Sequence, residues 1–506
     1  MKVLNKYIVA ISLVTLFFSS CSLVRDPLDS YSDVTEGVTE KGKEVVFKNK
    51  ADVDTYLRFL YQQLRDRQEH WYVDLLLIAE SHADNAYAGT TGAEVLPFEN
   101  NSIEGSNTVM KRDWERYLED TGRANRLIIY VDSVADNSVS SADINIYKAQ
   151  AKLFRALVLF DMVRIYGSIP VVTTVAPDIT AENIKDVYKD YFPKQATEKE
   201  AYEQIVNDCL DAIQYAPANK ATDKTILSKS VAKALLAKVY AEKPLQDYSK
   251  VIRYADEVAA DGFALNVDYA DLFATNAGNT DAKVRNTSES ILEVQYLPGA
   301  GNWATWMFGR DLSNYNNSFT WAKWVTPSRD LIQAFQDEKD QIRFNQSVVY
   351  YVAEWSNYYP AANYPFMYKL RSAFNSINKI RYADILLLKA EALIVGPTAN
   401  LEAAATLIDQ VRERVKLPKL PANVRGSKDA MVNALLKERR LELAFEGQRW
   451  FDLVRLNKVE EVMNAVYAKD SGRRAQVNKF NQNSYRLPVP QSLIDQNPNL
   501  VQNPGY

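Results

Sequence analysis

The sequence predicts a mainly α protein, built as a tetratricopeptide-like scaffold of helix pairs with long loop-rich insertions and a few short strands. Two observations favour this class. Apolar residues recur with a helical period along much of the chain, and 30 tyrosines and 8 tryptophans accompany only 17 glycines among 506 residues. A composition of 47% hydrophobic and 25% charged residues is typical of a globular chain that buries a large core.

The charge and the scarcity of certain residues exclude several functions. The formal net charge is −4, and it becomes about −6 if Lys2 and Lys6 are removed with the first segment, so nucleic-acid binding is not expected. Two cysteines and two histidines leave no ligand set for a zinc site or a Cys/His nucleophilic pair. We therefore expect no metal and no cofactor. His70 and His82 leave a Ser/His/Asp triad open, although nothing resembles a nucleophile elbow.

The first twenty residues have the pattern of a secretory signal. Lys2 and Lys6 precede an apolar run over residues 7–18, and two serines stand directly before Cys21. The run is too short for a transmembrane helix. The pattern predicts a signal peptide over residues 1–20 and resembles a bacterial lipoprotein signal, in which the cysteine carries acyl chains such as palmitate. The alternative is a plain signal peptide with an incidental cysteine.

The chain after the signal divides into a tether and one domain. Residues 21–43 are polar and lack a helical period, which predicts a lipidated tether. A single α-helical domain is expected over residues 44–506, beginning with a helix over residues 50–66. Cys209, in a periodic run, is expected to be a buried helical thiol. Three helix pairs are predicted, although a bundle of unrelated hairpins would show the same periodicity: 110–134 with 144–167, 228–242 with 248–262, and 378–396 with 400–415.

A long insertion is predicted at about residues 262–375, where the helical period lapses. Within it "SILEVQY", residues 290–296, alternates as a short strand does. The stretch that follows concentrates aromatic rings among Asn, Ser, Thr and Gly. Because turn-forming sequence favours the surface, about half of these rings are expected to face solvent. Trp324, just before a predicted helix start, is the strongest candidate for packing in the core.

The charged block "ERRLELAFEGQRWFDLVR", residues 438–455, raises the choice between an active site and a scaffold. Its arginines and carboxylates stand three and four apart, as in Arg439 to Glu442 and Arg449 to Asp452, which predicts local ion pairs along helical faces. Gly447 offers a place for the first helix to end or bend. A glycosidase would need two carboxylates held about 5 to 9 Å apart across a bond, and the sequence does not show such a pair.

Five blocks in order along the chain resemble the SusD-like (RagB/SusD) lipoproteins of the Bacteroidetes outer membrane. The resemblance implies a non-catalytic protein, anchored by lipid to the outer membrane and facing the cell exterior, that binds an oligosaccharide and delivers it to a SusC-like TonB-dependent transporter. It also implies that residues 438–455 are a scaffold signature. A peptide-binding member of the family and a tethered glycoside hydrolase remain alternatives. Besides Cys21, the blocks are residues 148–172, 228–242, 377–393, 436–458 and 485–506.

Loop aromatics are the predicted ligand-binding residues. Flat rings stack on the apolar faces of sugars, while Asn, Asp and Arg bond to hydroxyl groups. The choice within the long insertion rests on local composition and on the family's use of corresponding loops. Asn85 and Tyr87 come from an earlier insertion, "HADNAYAG". The predicted ligand contacts are Trp303, Trp306, Tyr315, Trp321, Tyr87 and Asn85.

Overall fold

Helices dominate the chain, as the hydrophobic period predicts. The structure is a computed structural model, and it describes residues 47–297, 301–309, 312, 323–355 and 357–506. Phe47–Tyr506 forms one compact unit. Within the described ranges, no helix has the length and apolar content that a membrane span requires. The predicted signal peptide, Cys21 and the tether lie outside the described residues and stay predictions.

The connections between helices range from two residues to the long insertion, and 3₁₀ turns lie between several helices. Two π-helical turns, Glu69–Val73 and Leu77–Ser81, flank the short helix α2. The α-helices are α1 Lys50–Asp66, α2 Asp74–Leu76, α3 Leu96–Asn100, α4 Thr108–Tyr130, α5 Ser141–Tyr166, α6 Ile184–Val187, α7 Glu198–Tyr215, α8 Lys229–Ala241, α9 Tyr248–Ala260, α10 Thr305–Phe308, α11 Arg329–Glu338, α12 Gln341–Ser347, α13 Tyr382–Val395, α14 Leu401–Arg414, α15 Ala422–Arg425, α16 Lys428–Glu442, α17 Arg449–Arg455, α18 Val459–Lys469 and α19 Gln491–Gln496.

Side-chain caps fix where the long helices begin. The Asn49 side chain accepts the N–H of Asp52 at the start of α1, whose bounds match the predicted segment. Ser140 caps α5 in the same way. Thr197 and Glu200 form a reciprocal capping box at the start of α7. These caps satisfy N–H groups that have no partner within the helix, so the sequence itself defines the starts.

The predicted helix pairs are confirmed and are joined into a continuous array. Helix α4 packs on α5, α8 on α9, and α13 on α14. Helix α7 contacts both α5 and α8, and α9 contacts α13, so each pair is linked to the next. The alternative of unrelated hairpins does not fit this linkage. Cys209 is buried in α7, as expected.

Strands are short and come in antiparallel pairs. The predicted strand at residues 290–296 is observed as β4. Its partner β8 corrects the prediction of a helix over residues 378–396, because residues before Tyr382 are extended and hydrogen-bond to β4 instead. A partner distant in sequence therefore overrides the local period there. The pairs are β1 Ala86–Tyr87 with β5 Thr326–Pro327, β2 Ile169–Pro170 with β3 Gln195–Ala196, β4 Ser290–Val294 with β8 Ile377–Arg381, and β6 Val348–Tyr351 with β7 Tyr364–Met367.

The charged block 438–455 lies in the interior of the fold. Helix α16 ends at Glu442 and α17 begins at Arg449, and the chain turns between them at Gly447, where φ is +74°. The Gly447 N–H donates to Oε1 of Glu80 at 2.9 Å. Trp450 is buried beneath this turn. The block therefore acts as a scaffold at the junction of several helices.

The prediction of local ion pairs within this block is wrong for the two pairs named above. Arg439 binds Asp384 and Asp452 rather than Glu442. Arg449 binds Asp84, 365 residues away, at 2.7 Å. The reason is burial, because a charge removed from water needs a well-aligned partner and the facing elements supply better ones than the same helix does.

Glu442 shows how dense this pairing becomes. Its carboxylate accepts from Arg343, Arg381 and Arg414, which come from three different elements. Burial alone would raise the pKa of Glu442, but the positive charges of Arg414, Arg381 and Arg343 outweigh it and hold that pKa well below its usual range. The carboxylate is therefore ionised and fully engaged in structure.

Candidate functional site

Tyrosine and arginine side chains converge where β5 leads into α11. Ser328 caps α11, and the next residue, Arg329, donates its backbone N–H to the Tyr87 hydroxyl at 3.0 Å. The Arg329 guanidinium lies 4.2 Å from the centroid of the Tyr359 ring and donates to the Tyr358 carbonyl oxygen at 2.5 Å. We call Arg329, Tyr358, Tyr359 and Arg474 the arginine–tyrosine surface.

The two tyrosines of this surface are held rigidly from below. The Tyr358 ring stacks on Tyr87, with centroids 4.8 Å apart and planes 10° apart, and its hydroxyl donates to Oε2 of Glu99 at 2.5 Å. The Tyr359 hydroxyl donates to the Pro327 carbonyl oxygen at 2.8 Å. Burial raises the pKa of both tyrosines, so they stay neutral at physiological pH.

Arg474 approaches the same rings from the other end of the chain. Its guanidinium lies 5.3 Å from the Tyr358 ring centroid, and its backbone N–H donates to Oε1 of Glu99 at 2.7 Å. Gly472, two residues before Arg474, lies against Arg329: a methyl group there would overlap Nη1 of Arg329 and crowd the Tyr87 hydroxyl. Glycine at this position therefore lets the chain pass close to the Arg329 guanidinium.

A series of contacts connects this surface to the tryptophans near α10. The Lys323 ammonium lies 3.4 Å from the Trp355 ring centroid and 5.2 Å from that of Tyr364, which in turn contacts Tyr359. Burial lowers the pKa of Lys323 to about 8. The next residue, Trp324, donates its backbone N–H to the Met307 carbonyl oxygen at 2.6 Å. Lys323 and Trp324 thus link the arginine–tyrosine surface to the backbone of α10.

The tryptophans predicted in this region divide between core and surface. Trp324 packs against the hydrophobic core, as predicted, and Trp303 is half-buried against the same cluster. Trp306, on α10, is 46% exposed and presents part of its ring to solvent. Tyr315 and Trp321 lie outside the described residues. Of the predicted ring contacts, Trp306 is therefore the one that the structure shows most accessible.

Asn85 and Tyr87 require a correction. Both are 0% exposed, so a ligand on the surface does not reach them. The Asn85 side chain donates to Glu80 and accepts from Arg440, while the Tyr87 hydroxyl bonds to Asp470. The segment was predicted to be a surface loop, but it forms β1 and is covered by β5 and the 470–474 segment. These two residues support the surface from beneath.

Sequence reasoning missed the residues of the arginine–tyrosine surface. The stretch "NYYPAANYPFMY", residues 357–368, has four tyrosines beside turn-forming Pro and Asn, and that density is a signal comparable to the tryptophan stretch. Arg474 carried no such signal, because its neighbours "DSGRR" contain no aromatic residue. Its position depends on a contact with Glu99, 375 residues away.

The carboxylates nearest this surface are occupied by hydrogen-bond donors. Glu99 accepts from Ala88, Tyr358 and Arg474, and Asp470 accepts from Tyr87 and Gly472. In the described part of the chain, no group of three or more His, Cys, Asp or Glu side chains is placed to hold a metal ion. The surface offers flat rings and hydrogen-bond donors, which suits binding.

Two family profiles match the chain over separate ranges. Residues 344–506 match the family described as "SusD family", and residues 28–241 match the one described as "Starch-binding associating with outer membrane". The helical, tetratricopeptide-like fold and the two family matches point to the same class of protein. The chain belongs to the SusD-like family.

Individual relatives agree with this assignment. The SusD-like protein P2 of Formosa agariphila is 26% identical, and the alignment covers 92% of this chain and 94% of that protein. A laminarin-binding SusD-like protein has a similar fold, with a TM-score of 0.67, 24% identity, and coverage of 91% of this chain and 100% of that chain. Surface glycan-binding protein A of Bacteroides thetaiotaomicron, solved with laminarihexaose, also has a similar fold. Its TM-score is 0.69 at 19% identity, and the match covers 90% of this chain and 99% of that chain.

Proposed function

We propose that the protein is a non-catalytic, glycan-binding lipoprotein of the outer membrane that delivers an oligosaccharide to a SusC-like TonB-dependent transporter. The observation that carries glycan binding is the combination of aromatic rings with guanidinium donors: Arg329 packs against Tyr359 in the arginine–tyrosine surface, and α10 carries the exposed Trp306 ring. Two solved relatives with this fold bind laminarin or laminarihexaose, which supports the same ligand class here.

The chemistry of these rings and donors suits a saccharide. Aromatic rings pack against the C–H faces of a sugar, and fixed donors bond to its hydroxyl groups. Tyr358 and Tyr359 are held by hydrogen bonds and stacking, so little conformational entropy is lost when a ligand binds. Trp303, Trp306, Tyr315 and Trp321 remain our proposed ligand contacts from the α10 region.

The anchor and the partner complete the proposal. Cys21 carries lipid, and the tether after it holds the body near the membrane, facing the cell exterior. Two or three acyl chains at about 0.8 kcal/mol per buried methylene give a stable anchor. Binding alone does not carry a ligand across a membrane, so a transporter must accept it. The helical array offers a broad surface for such a partner.

Trp306→Ala tests the glycan site. If the ring stacks on the ligand, calorimetry with the tightest glycan from a neutral and acidic panel shows an affinity loss of about ten-fold or more. Tyr188→Ala is a matched control, because Tyr188 is also an exposed aromatic, at 54%, on a different part of the fold. Equal affinities for both variants and the wild type would place the site elsewhere. Release of shorter saccharides during the titration would indicate a hydrolase.

Two experiments test the anchor and the transporter. Cys21→Ala should move the protein from the membrane fraction to the soluble fraction, and equal retention would contradict lipidation. Mild-detergent purification from the native outer membrane should recover a TonB-dependent transporter as the dominant partner. Recovery of the protein alone, with growth on its glycan unaffected by loss of that transporter, would contradict delivery.

A further inference from the structure

The two arginines of the arginine–tyrosine surface are not neutralised by carboxylates. Arg329 and Arg474 are both half-exposed, and in the described ranges no acidic side chain forms an ion pair with either. The contacts of the Arg329 guanidinium are the Tyr358 carbonyl oxygen, the Tyr87 hydroxyl and the Tyr359 ring. That of Arg474 faces the ring of Tyr358. The Nε of Arg474 is buried and its side chain bonds to Tyr358, so the donors offered to a ligand are terminal N–H groups of the two guanidinium groups.

The local charge balance is positive. Arg473 is buried beneath the surface and donates to backbone carbonyl oxygens, and Lys323 binds the Trp355 carbonyl oxygen. With Arg329 and Arg474 these make four cations. The acids that interact with them are Glu99, Asp470 and Glu354, one fewer than the cations. The field at this surface therefore favours an anion.

We propose that the glycan bound here carries an acidic group, the carboxylate of a uronic acid or a sulfate ester, which Arg329 and Arg474 recognise. The inference rests on the proposed function, since it names the chemical class of the glycan at that same site. A guanidinium presents paired N–H donors in a planar fork that matches the oxygens of a carboxylate or sulfate. The buried Tyr358 contacts both arginines, through its carbonyl oxygen for Arg329 and its ring for Arg474, and so positions them.

Desolvation gives this surface its selectivity. A neutral sugar that covers Arg329 removes water and supplies hydroxyl groups as hydrogen-bond acceptors, but these do not neutralise the charge of the guanidinium. An acidic sugar offsets that loss with a charge-assisted hydrogen bond. The preference must therefore be electrostatic, and it must weaken as salt shortens the screening length from about 10 Å at 0.1 M towards 3 Å at 1 M.

Charge-matched ligands test the inference directly. Tetragalacturonic acid is compared with its methyl ester, and a sulfated carrageenan tetrasaccharide with its desulfated form, alongside laminarihexaose. We expect the acidic member of one pair to bind at least about ten-fold more tightly than its neutral counterpart at low salt, with most of that preference lost at about 0.5 M NaCl. The pair that shows the preference distinguishes carboxylate from sulfate.

Arginine variants then locate the effect. Arg474→Gln and Arg329→Gln should each weaken the acidic ligand about ten-fold and reduce its salt dependence, while neutral affinity changes less than about two-fold. Arg474→Lys keeps the positive charge but lacks the planar pair of N–H donors. Its affinity for the acidic ligand should therefore lie between those of wild type and Arg474→Gln. Arg253→Gln is the control, because that arginine is exposed and paired with Glu257 on α9. If Arg329→Gln fails to fold, Arg474→Gln carries the test, since the Arg474 side chain is partly exposed and forms no ion pair among the described residues.

The outcomes separate this inference from the proposed function. If the tightest ligand in a wide panel of neutral and acidic polysaccharides is neutral, or if the acidic preference ignores salt and both substitutions, the inference is wrong while glycan binding stands. If no polysaccharide in the panel binds, glycan binding itself is wrong. An acidic preference that disappears with salt and with Arg474→Gln supports both.

Discussion

Two regions of this molecule place arginines beside aromatic rings, and they use them in opposite ways. In the charged block 438–455, the four arginines all pair with carboxylates and all lie in the interior. In the arginine–tyrosine surface, Arg329 and Arg474 face rings and solvent without such partners among the described residues. Sequence composition does not separate these cases. The presence of a carboxylate partner separates them. The paired arginines stabilise the fold, and the arginines without such a partner are the ones proposed to recognise a ligand.

The energetic consequences also differ. Removing one member of a buried ion pair leaves an uncompensated charge in the interior, which costs about 3–5 kcal/mol. Removing a partly exposed arginine without an ion pair costs little stability, usually within about 0.5 kcal/mol. The comparison therefore predicts stability defects in the block and binding defects at the surface.

Arg381→Met should give the largest effect. Arg381, on β8 and 1% exposed, lies outside the block but binds two of its carboxylates, Glu442 and Glu446, as well as Glu289. Its loss leaves three buried or nearly buried carboxylates with less compensation, so the free energy of unfolding should fall by at least about 3–5 kcal/mol. Urea denaturation measures this, with Arg474→Met as the comparison, expected to stay within about 1 kcal/mol of wild type. Similar losses of unfolding free energy in the two variants would contradict the distinction between the charged block and the arginine–tyrosine surface.

Acidification should destabilise the scaffold through His82. The ring lies between Trp450 and Phe480, and burial lowers its pKa from 6.5 to about 4. Between those pH values the unfolded chain binds a proton that the folded chain does not, so stability is lost as pH falls from about 6.5 to 4. At 1.36 kcal/mol per pH unit the loss reaches about 3 kcal/mol.

A paired variant isolates this effect. Burial raises the pKa of Glu80 to about 7, and its contribution has the opposite slope, because the folded state then binds the extra proton. Comparing wild type with His82→Phe by urea denaturation at pH 7 and pH 5 cancels the Glu80 contribution. The stability advantage of wild type over the variant should shrink by about 2 kcal/mol at pH 5. A constant advantage would show that His82 is protonated in the folded state.

Gly472→Ala should have the smallest effect on stability and a selective effect on binding. The added methyl group displaces the flexible end of Arg329 and crowds the buried Tyr87 hydroxyl, so the free energy of unfolding should fall by about 1 kcal/mol. Affinity for an acidic glycan should fall several-fold, because the guanidinium loses its position against Tyr359. Ser471→Ala, at an exposed neighbour, is the control for calorimetry. If the affinity for the acidic glycan does not change, Arg329 does not take part in recognising it.

The sequence predicted those structural features that depend on residues close together in the chain. The bounds of α1 and the three helix pairs follow from hydrophobic period and capping, and both act within a few residues. The strand β8 was predicted as helix because its partner β4 lies almost ninety residues earlier. Asn85 and Tyr87 were expected at the surface because the segments that cover them, near Thr326 and Asp470, come much later. Arg474 was missed for the same reason.

The contacts between the early segment 80–87 and the C-terminal region have a consequence for the order of folding. Glu80 accepts a hydrogen bond from the backbone N–H of Gly447, 367 residues later. Asp84 accepts from the side chain of Arg449, 365 residues later. The Tyr87 hydroxyl donates to Asp470, 383 residues later. A chain made from its N-terminus first holds these groups without their partners until synthesis is almost complete. Closing such long loops is slow, so the last eighth of the chain sets when segment 80–87 becomes native.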